Sequence, residues 1–202
     1  MRVFLCDIRD VSRQSVEHAL SLLPPERQKK ALGTRHQQAR AACVMGYLLV
    51  RFAVRTLYPD AEPGDFLIEG AGKPAPLCGV HFSLSHTQGC VAVAVSDSHS
   101  VGVDVEIIAK RPDGFAARYF SPDQRHRLSL SPDPDAALTR LWCAKEAVTK
   151  ERGTGLCGTI ADIPTERAAS DTFALGGNRY AIALSPADRM PPCEWVPIEC
   201  LI

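Results

Sequence analysis

The chain passes twice through one order of helix-like and strand-like segments, and this repetition constrains its fold more than any other feature. VFLCDI at 3–8 corresponds to VGVDVE at 101–106, and PPER at 24–27 corresponds to SPDQ at 121–124. RAAC at 40–43 then matches RLWC at 140–143, and the hairpin-like segment at 82–96 matches 173–185. Each match is weak alone, but their common order predicts a duplicated unit that is too long for a solenoid repeat.

The predicted fold class is therefore α+β, built as a pseudo-two-fold pair of similar halves. We place the N-terminal half at 1–98 and the C-terminal half at 99–202. Two similar halves that pack face to face leave a cleft between them, which is a usual place for a ligand. Because the two halves carry different polar residues, we expect one active site at their interface and not two.

Composition excludes several classes of function. Lys and Arg number 23 and Asp and Glu also number 23, which argues against non-specific binding to nucleic acid. No segment is apolar over the length of a membrane span, and the N-terminus does not look like a signal peptide. The eight cysteines form no C-x-x-C pair, so we expect reduced thiols in a cytoplasmic protein.

Two carboxylates stand together in the strand predicted at 100–108. Asp104 and Glu106 are two residues apart, so both side chains point to the same face, opposite Val103 and Val105. Adjacent carboxylates repel one another, and a hard cation such as Mg2+ would relieve that repulsion. Taken alone, the spacing fits a solvent-exposed strand face better.

The helix predicted at 138–153 carries RLWCAKEAVTK. Trp142, Glu146 and Lys150 follow i, i+4, i+8 spacing and share a face, with Lys145 beside it. A Glu–Lys pair at this spacing is usually a mild surface interaction worth ~0.2–0.5 kcal/mol. The tryptophan instead indicates that this face packs against another part of the molecule.

A third group of residues suits phosphate. Lys73 lies in the loop GAGKPAP, and Ser85 and His86 lie in the strand-like FSLSH. Lysine, serine and histidine bind phosphate by charge and by hydrogen bonds. Taken singly, His86 fits a structural histidine near a turn better. Together with the three carboxylates, however, these residues predict a metal-assisted phosphoryl-transfer site.

The ordered set GKP, FSLSH, VGVDVE and WCAKEAVTK resembles the 4′-phosphopantetheinyl transferases, and specifically the monomeric, duplicated branch called the Sfp type. The motifs cover about 70–155, and the layout of the halves extends the resemblance over most of the chain. Four motifs in this order are specific, although each is weak alone. Ser83 and Thr87 stand where the family commonly has Asn and Ser.

The resemblance implies that the protein transfers the phosphopantetheine arm of coenzyme A to a serine of an apo carrier protein and releases 3′,5′-ADP. It implies that Asp104, Glu106 and Glu146 bind Mg2+, with Mn2+ as the other candidate metal. Glu146 or a metal-bound water would be the general base, and Lys150 would act on the leaving phosphate. The implied coenzyme A contacts, which also include Lys150, are Lys73, Ser85 and His86.

The segment at 37–58 is apolar over most of its surface and is predicted to be a long central helix. Family members often carry a basic residue early in this helix that meets the 3′-phosphate of coenzyme A. A register anchored on Gly46 and Arg51 places Ala42 at this position, with Arg40 nearby. Lys29 and Lys30 are additional candidates. The acidic position after the F-S segment reads Gln124, with Asp123 beside it.

The sequence leaves two other hypotheses about function open. The carboxylates could serve a metal-dependent phosphohydrolase, or the chain could be a non-catalytic carrier-protein or nucleotide-binding module with a degenerate site. The carrier itself is not identified by the sequence. The segment at 113–120, DGFAARYF, fits a carrier-docking surface and ordinary packing about equally well.

Overall fold

The computed structural model describes residues 1–59, 79–155 and 159–202. Its described part divides into two compact units. The first contains residues 1–59 and 79–99 together with Pro191–Ile202, and the second contains Ser100–Met190. The predicted division at 98/99 stays a prediction. Residues 191–202 belong to the first unit because their strand joins the first sheet.

The described elements follow one another in chain order. They are β1 (Arg2–Asp7), α1 (Arg13–Ser21), α2 (Pro25–Leu32), α3 (Gln37–Leu57), β2 (His81–Thr87), β3 (Cys90–Ser96), β4 (Gly102–Ile107), α4 (Phe115–Tyr119), α5 (Pro122–Ser129), α6 (Pro134–Arg152), β5 (Ala169–Leu175), β6 (Asn178–Ser185) and β7 (Cys193–Trp195). Short 3₁₀ turns lie at Ile160–Asp162 and Ile198–Cys200. Two sheets and six helices confirm the predicted α+β class for the described residues.

The first unit is built on a four-stranded sheet in the order β2-β3-β1-β7. β3 is antiparallel to both β1 and β2, and β7 pairs parallel to β1, with Phe4 opposite Glu194. The long helix α3 packs on this sheet and supplies the largest share of the core, which includes Met45, Leu49 and Val54. A helix that is apolar over most of its surface is expected to be central, as the sequence predicted.

The second unit has a three-stranded antiparallel sheet in the order β4-β6-β5. Each sheet therefore places a hairpin beside the first strand of its unit, β2-β3 beside β1 and β5-β6 beside β4. This shared order agrees with the duplicated pattern in the sequence. The pseudo-two-fold relation of the halves stays a prediction.

Helix α6 lies very close to the face of β4 that carries the carboxylates. A Cβ on Gly102 would lie 1.9 Å from the carbonyl oxygen of Ala147, so only glycine fits. On the neighbouring strand, Ala181 and Ala183 pack against Cys143 and Ala147 of α6. Since these side chains are small, the helix backbone approaches the sheet closely and its longer side chains reach the strand.

Local sequence signals account for the starts of three helices, α1, α5 and α6. Ser12 caps α1 by accepting from Ser15 N, and Ser121 forms a capping box with Gln124. Helix α6 begins at Pro134, earlier than the predicted 138, because Asp133 caps it and proline is favourable in the first turn. The possible strand at 65–70 and the loop at 70–76 lie outside the described residues.

Among the described residues, six cysteines are free, and three of them are buried: Cys6, Cys90 and Cys143. Burial raises the pKa of the Cys6 and Cys90 thiols to about 12. These buried sites agree with the expected reduced thiols, whereas Cys200 is exposed. In the part of the chain that the structure describes, no helix combines the length and hydrophobicity that crossing a membrane requires.

Candidate active site

Asp104 is buried against α6. Its exposed fraction is only 4%, although it lies on the strand face opposite Val103 and Val105, which are themselves fully buried. The alternative of a solvent-exposed carboxylate face is therefore wrong for Asp104. An ionised carboxylate in such a place requires compensation by a cation or by hydrogen bonds.

Lys150 supplies part of that compensation. Its Nζ donates to Asp104 Oδ1 at 2.7 Å and to the carbonyl oxygen of Val103 at 3.2 Å. The helical spacing suggested that Lys150 pairs only with Glu146 at the surface. The structure shows that Lys150 also contacts β4. It joins the last turn of α6 to the middle of β4.

Arg111 performs a similar role for the second strand carboxylate. Its Nη2 lies 3.5 Å from Glu106 Oε2, and its guanidinium carbon stands 5.4 Å from the ring centroid of Phe115. Both partners are mostly shielded, with about a quarter of each side chain exposed (24% and 29%). Arg111 thus links Glu106 to helix α4.

The three carboxylates influence one another electrostatically. Burial raises the pKa of Glu146, and the charges of Asp104 and Glu106 raise it further while Lys150 opposes them. Burial likewise raises the pKa of Glu106, with Asp104 adding to the shift and Arg111 opposing it. Negative charge is therefore concentrated here and only partly neutralised by the two cations.

The residue types of these three carboxylates suit a hard divalent cation. Three acidic side chains offer oxygen ligands, and a cation would offset the repulsion that raises two of their pKa values. Within 1–59, 79–155 and 159–202, no group of three or more His, Cys, Asp or Glu side chains is placed as a complete metal-binding set. Asp104 instead pairs with Lys150.

Trp142 packs against α4, as expected for a tryptophan on the helix face that it shares with Glu146 and Lys150. Its ring centroid lies 5.1 Å from those of Phe115 and Tyr119, both in edge-on contact. Phe120 is buried at 2% exposure. The aromatic residues of 113–120 therefore pack against α6, which is the second of the two readings of that segment, while Arg118 stays exposed.

The predicted residues of the N-terminal half lie on two elements of the first unit. Ser85 is buried and His86 exposed on β2, opposite Ala92 and Val91 of β3. Arg40 lies in the first turns of α3 and donates to the carbonyl oxygen of Thr34 at 3.1 Å. Lys73 lies outside the described residues.

Arg40 also lines a cavity of about 440 Å³ together with Arg13 and Arg35. The buried Nε of Arg40 has no hydrogen-bond acceptor among the described residues. Arg13 pairs with Glu17 at 2.9 Å, so Arg35 and Arg40 carry the positive charge of this cavity that is not ion-paired in the described structure.

Three contributors to the site were not identified from the sequence. Arg111 follows β4 in the basic stretch at 110–111, but nothing in that stretch shows that it reaches back to Glu106. Gly102 precedes the carboxylates, and its Gly-x-Asp-x-Glu pattern was the available signal. Lys145 belonged to a recognised motif, yet its contacts depend on residues 160–163, which no local pattern relates to it.

Comparison with known families covers two of the four motifs, VGVDVE and WCAKEAVTK. Residues 100–186, which include Asp104, Glu106, Glu146 and Lys150, match the model of the 4′-phosphopantetheinyl transferase superfamily. The match covers the second unit, where the acidic cluster lies.

Curated relatives extend the similarity beyond this segment. The chain is 29% identical over 155 residues to the 4′-phosphopantetheinyl transferase ffp of Bacillus subtilis, covering 73% of this chain and 68% of the relative. It is 33% identical over 130 residues to the transferase HetI of Nostoc sp., covering 57% and 55%. It is 33% identical over 120 residues to AcpT of Salmonella typhimurium, covering 56% and 59%.

The family predicted from the ordered motifs is therefore confirmed, and with it the expectation of an enzyme of the transferase class. Residues 100–186 match the 4′-phosphopantetheinyl transferase superfamily, and curated proteins similar to this chain carry that name.

Proposed function

We propose that this protein, as an Sfp-type enzyme, transfers the 4′-phosphopantetheine arm of coenzyme A to a serine of an apo carrier protein and releases 3′,5′-ADP. The observation that carries the proposal is the cluster of Asp104, Glu106, Glu146 and Lys150 between β4 and α6. Three carboxylates and one lysine suit a reaction in which a pyrophosphate must be bound and its charge neutralised.

Asp104, Glu106 and Glu146 would hold Mg2+ or Mn2+. When bound, the metal supplies positive charge to the pyrophosphate oxygens of coenzyme A. The raised pKa values of Glu106 and Glu146 support this assignment. Burial, and after it the charge of Asp104, disfavours their ionised forms, which a cation would stabilise.

The chain's own residues account for the proton and the charge. The serine Oγ forms a bond to the phosphorus that carries the pantetheine arm, and the pyrophosphate bond to 3′,5′-ADP breaks. Glu146 is the candidate acceptor of the serine proton, since burial raises its pKa towards that of a useful base. Lys150, which donates to Asp104 in the structure, stabilises the charge of the departing phosphate.

The N-terminal part of the chain supplies the remaining coenzyme A contacts in this proposal. Lys73, Ser85 and His86 contact its phosphates, and Arg40 contacts the 3′-phosphate. The cavity lined by Arg13, Arg35 and Arg40 supports the assignment of Arg40 to the 3′-phosphate, because guanidinium groups form bidentate hydrogen bonds with phosphate. The pseudo-two-fold halves, the interfacial active site, the monomeric state and the cytoplasmic location all stay predictions.

The proposed partner is an acyl, polyketide or peptidyl carrier protein with an acidic surface beside its serine. Arg118, Arg125 and Arg127 are exposed on α4 and α5 and give this surface a positive charge suited to such a partner. The proposed docking surface consists of these arginines, whereas the neighbouring aromatic residues pack against α6.

The test is to incubate the protein with coenzyme A, Mg2+ and apo carriers of the fatty-acid, polyketide and peptide types. We expect one carrier to gain the mass of a single phosphopantetheine arm, with 3′,5′-ADP in equal amount. The gain should disappear with a chelator and with a carrier whose acceptor serine is replaced by alanine. Release of free phosphate with no carrier gain would instead support a phosphohydrolase.

A further inference from the structure

Lys145 is a buried cation that the proposed chemistry does not use. Its side chain is fully buried, with 0% exposed, although it stands beside Glu146 on α6. Lysine is almost never fully buried unless its charge has partners, because desolvation of an ammonium group is costly. Burial indeed lowers the pKa of Lys145.

The partners of Lys145 are backbone carbonyl groups of one short segment. Its Nζ donates to the oxygens of Ile160 at 2.8 Å, Ala161 at 2.9 Å and Ile163 at 3.3 Å. An ammonium group has three donors, and all three are used here. The acceptors belong to the 3₁₀ turn Ile160–Asp162 and the residue after it.

Lys145 also contacts the end of α4. Its Nζ stands 5.8 Å from the centroid of the buried Phe120 ring, within the range of a cation–π interaction. The turn at Ile160–Asp162 contacts α4 as well. One ammonium group therefore joins α6 to the turn and to Phe120.

The direction of this side chain differs from that of Glu146. Consecutive residues on an α-helix point about 100° apart, so Lys145 faces the turn while Glu146 lies close enough to Asp104 and Glu106 to feel their charges. Because three hydrogen bonds hold Lys145, they restrict rotation of α6 about its axis. That rotation decides whether Glu146 and Lys150 face β4.

We propose that Lys145 is a positioning residue that fixes the rotation of α6, and that it binds neither coenzyme A nor the metal. It acts through Glu146 and Lys150. The proposal rests on the proposed function for its kinetic consequence, but its structural part does not depend on that function.

Amine-reactive labelling of the unaltered protein tests the structural part. Acetylation followed by mass spectrometry should modify the exposed Lys110 readily and leave Lys145 unmodified, with or without coenzyme A. Labelling of Lys145 in the free protein that coenzyme A suppresses would overturn the proposal, since it would show a coenzyme contact. This experiment requires no variant to fold.

The variant Lys145→Met tests the consequence for catalysis. We expect the kcat of transfer to fall by about 100-fold, the order that misplacement of catalytic groups by ~1 Å can cause, while the KM for coenzyme A changes little. Mn2+ affinity, measured by calorimetry, should weaken because Glu146 is no longer held towards Asp104. The control Lys110→Met removes an exposed lysine of the same unit and should alter none of these values.

Two results of the variant experiment would contradict the proposal. A large rise in the KM for coenzyme A at unchanged kcat would make Lys145 a direct ligand. A lower melting temperature with unchanged kcat and Mn2+ affinity would make it a purely structural residue. If the wild-type protein transfers nothing to any carrier, the proposed function fails, and the labelling and Mn2+ measurements still decide the role of Lys145.

Discussion

Lys150 Nζ donates to Asp104 Oδ1 at 2.7 Å across the boundary between α6 and β4. Asp104 is also one of the predicted metal ligands, so Lys150 and a metal ion would compete for the same negative charge. Asp104 is 6% exposed at its side chain and Lys150 30%, which places the pair largely out of solvent. Loss of either partner of a shielded pair leaves the other without compensation.

The first prediction concerns Asp104→Asn, which keeps the shape of the side chain and removes its charge. We expect transfer activity to fall below detection and Mn2+ binding to weaken by at least about tenfold, equivalent to ~1.4 kcal/mol. The far-ultraviolet circular dichroism spectrum should stay unchanged. The control Asp171→Asn alters an exposed carboxylate of the same sheet. Full activity in Asp104→Asn would refute the metal assignment.

The second prediction separates metal binding from catalysis at Lys150. In Lys150→Met, Asp104 loses its internal counter-ion, so we expect Mn2+ affinity to rise by about tenfold, or ~1.4 kcal/mol. We expect kcat to fall in the same variant, because the departing phosphate loses a positive charge. Calorimetry measures the Mn2+ affinity and carrier-loading kinetics measure kcat, both on the same preparation of the variant. Weaker Mn2+ binding would show that Lys150 does not compete with the metal.

How much of this site follows from sequence depends on the range of each contact. The residue types and spacing in β4 and α6 predict Asp104, Glu106, Glu146 and Lys150, because strand and helix periods decide which side chains share a face. The Lys150–Asp104 pair and the Arg111–Glu106 pair do not follow, since they depend on how closely two elements pack.

The same reasoning explains the elements that the sequence did not predict. Helix α4 has five residues, too few to show a helical period, and β7 has only three. Strand β7 also pairs with β1 from the opposite end of the chain, and local composition does not encode such a distant partner. The long helix α3 and the strand β3 were predictable because long runs of apolar residues in the sequence indicate buried elements.

The third prediction concerns Gly102→Ala. The added Cβ would meet backbone atoms, Ala147 O at 1.9 Å and Glu151 N at 2.5 Å, so β4 and α6 must separate. We expect a loss of about 3 kcal/mol in the free energy of unfolding, at the upper end for overpacking, measured by urea denaturation. The control Gly33→Ala introduces a Cβ no closer than 3.4 Å to its neighbours. Equal stability of the two variants would contradict the close approach.

The fourth prediction concerns pH and stability in the first unit. Arg9 hydrogen-bonds Asp7 at 2.7 Å and lowers the pKa of that carboxyl. Because the folded pKa is lowered, the stabilisation is present above the ordinary carboxyl pKa of about 3.9 and is lost as pH falls through the lower folded value. The pair is partly exposed, so Asp7→Asn should cost only about 0.5 kcal/mol at pH 7.

Urea denaturation of Asp7→Asn at pH 7 and below pH 3 measures this effect. The difference from the wild-type protein should shrink at the lower pH. The control Asp10→Asn removes an equal charge from a neighbouring exposed position. A difference that persists unchanged in acid would exclude the Arg9–Asp7 pair as its source.

Strand β7 has a consequence for the order in which the protein is synthesised. Cys193–Trp195 pair with Val3–Leu5, so the first sheet takes its fourth strand from beyond the second unit. Ribosomes release the chain from its N-terminus, and domains generally fold in that order. Here all of Ser100–Met190 is released before the first sheet can be completed. The nascent N-terminal sheet therefore exposes the edge of β1 throughout the synthesis of the second unit.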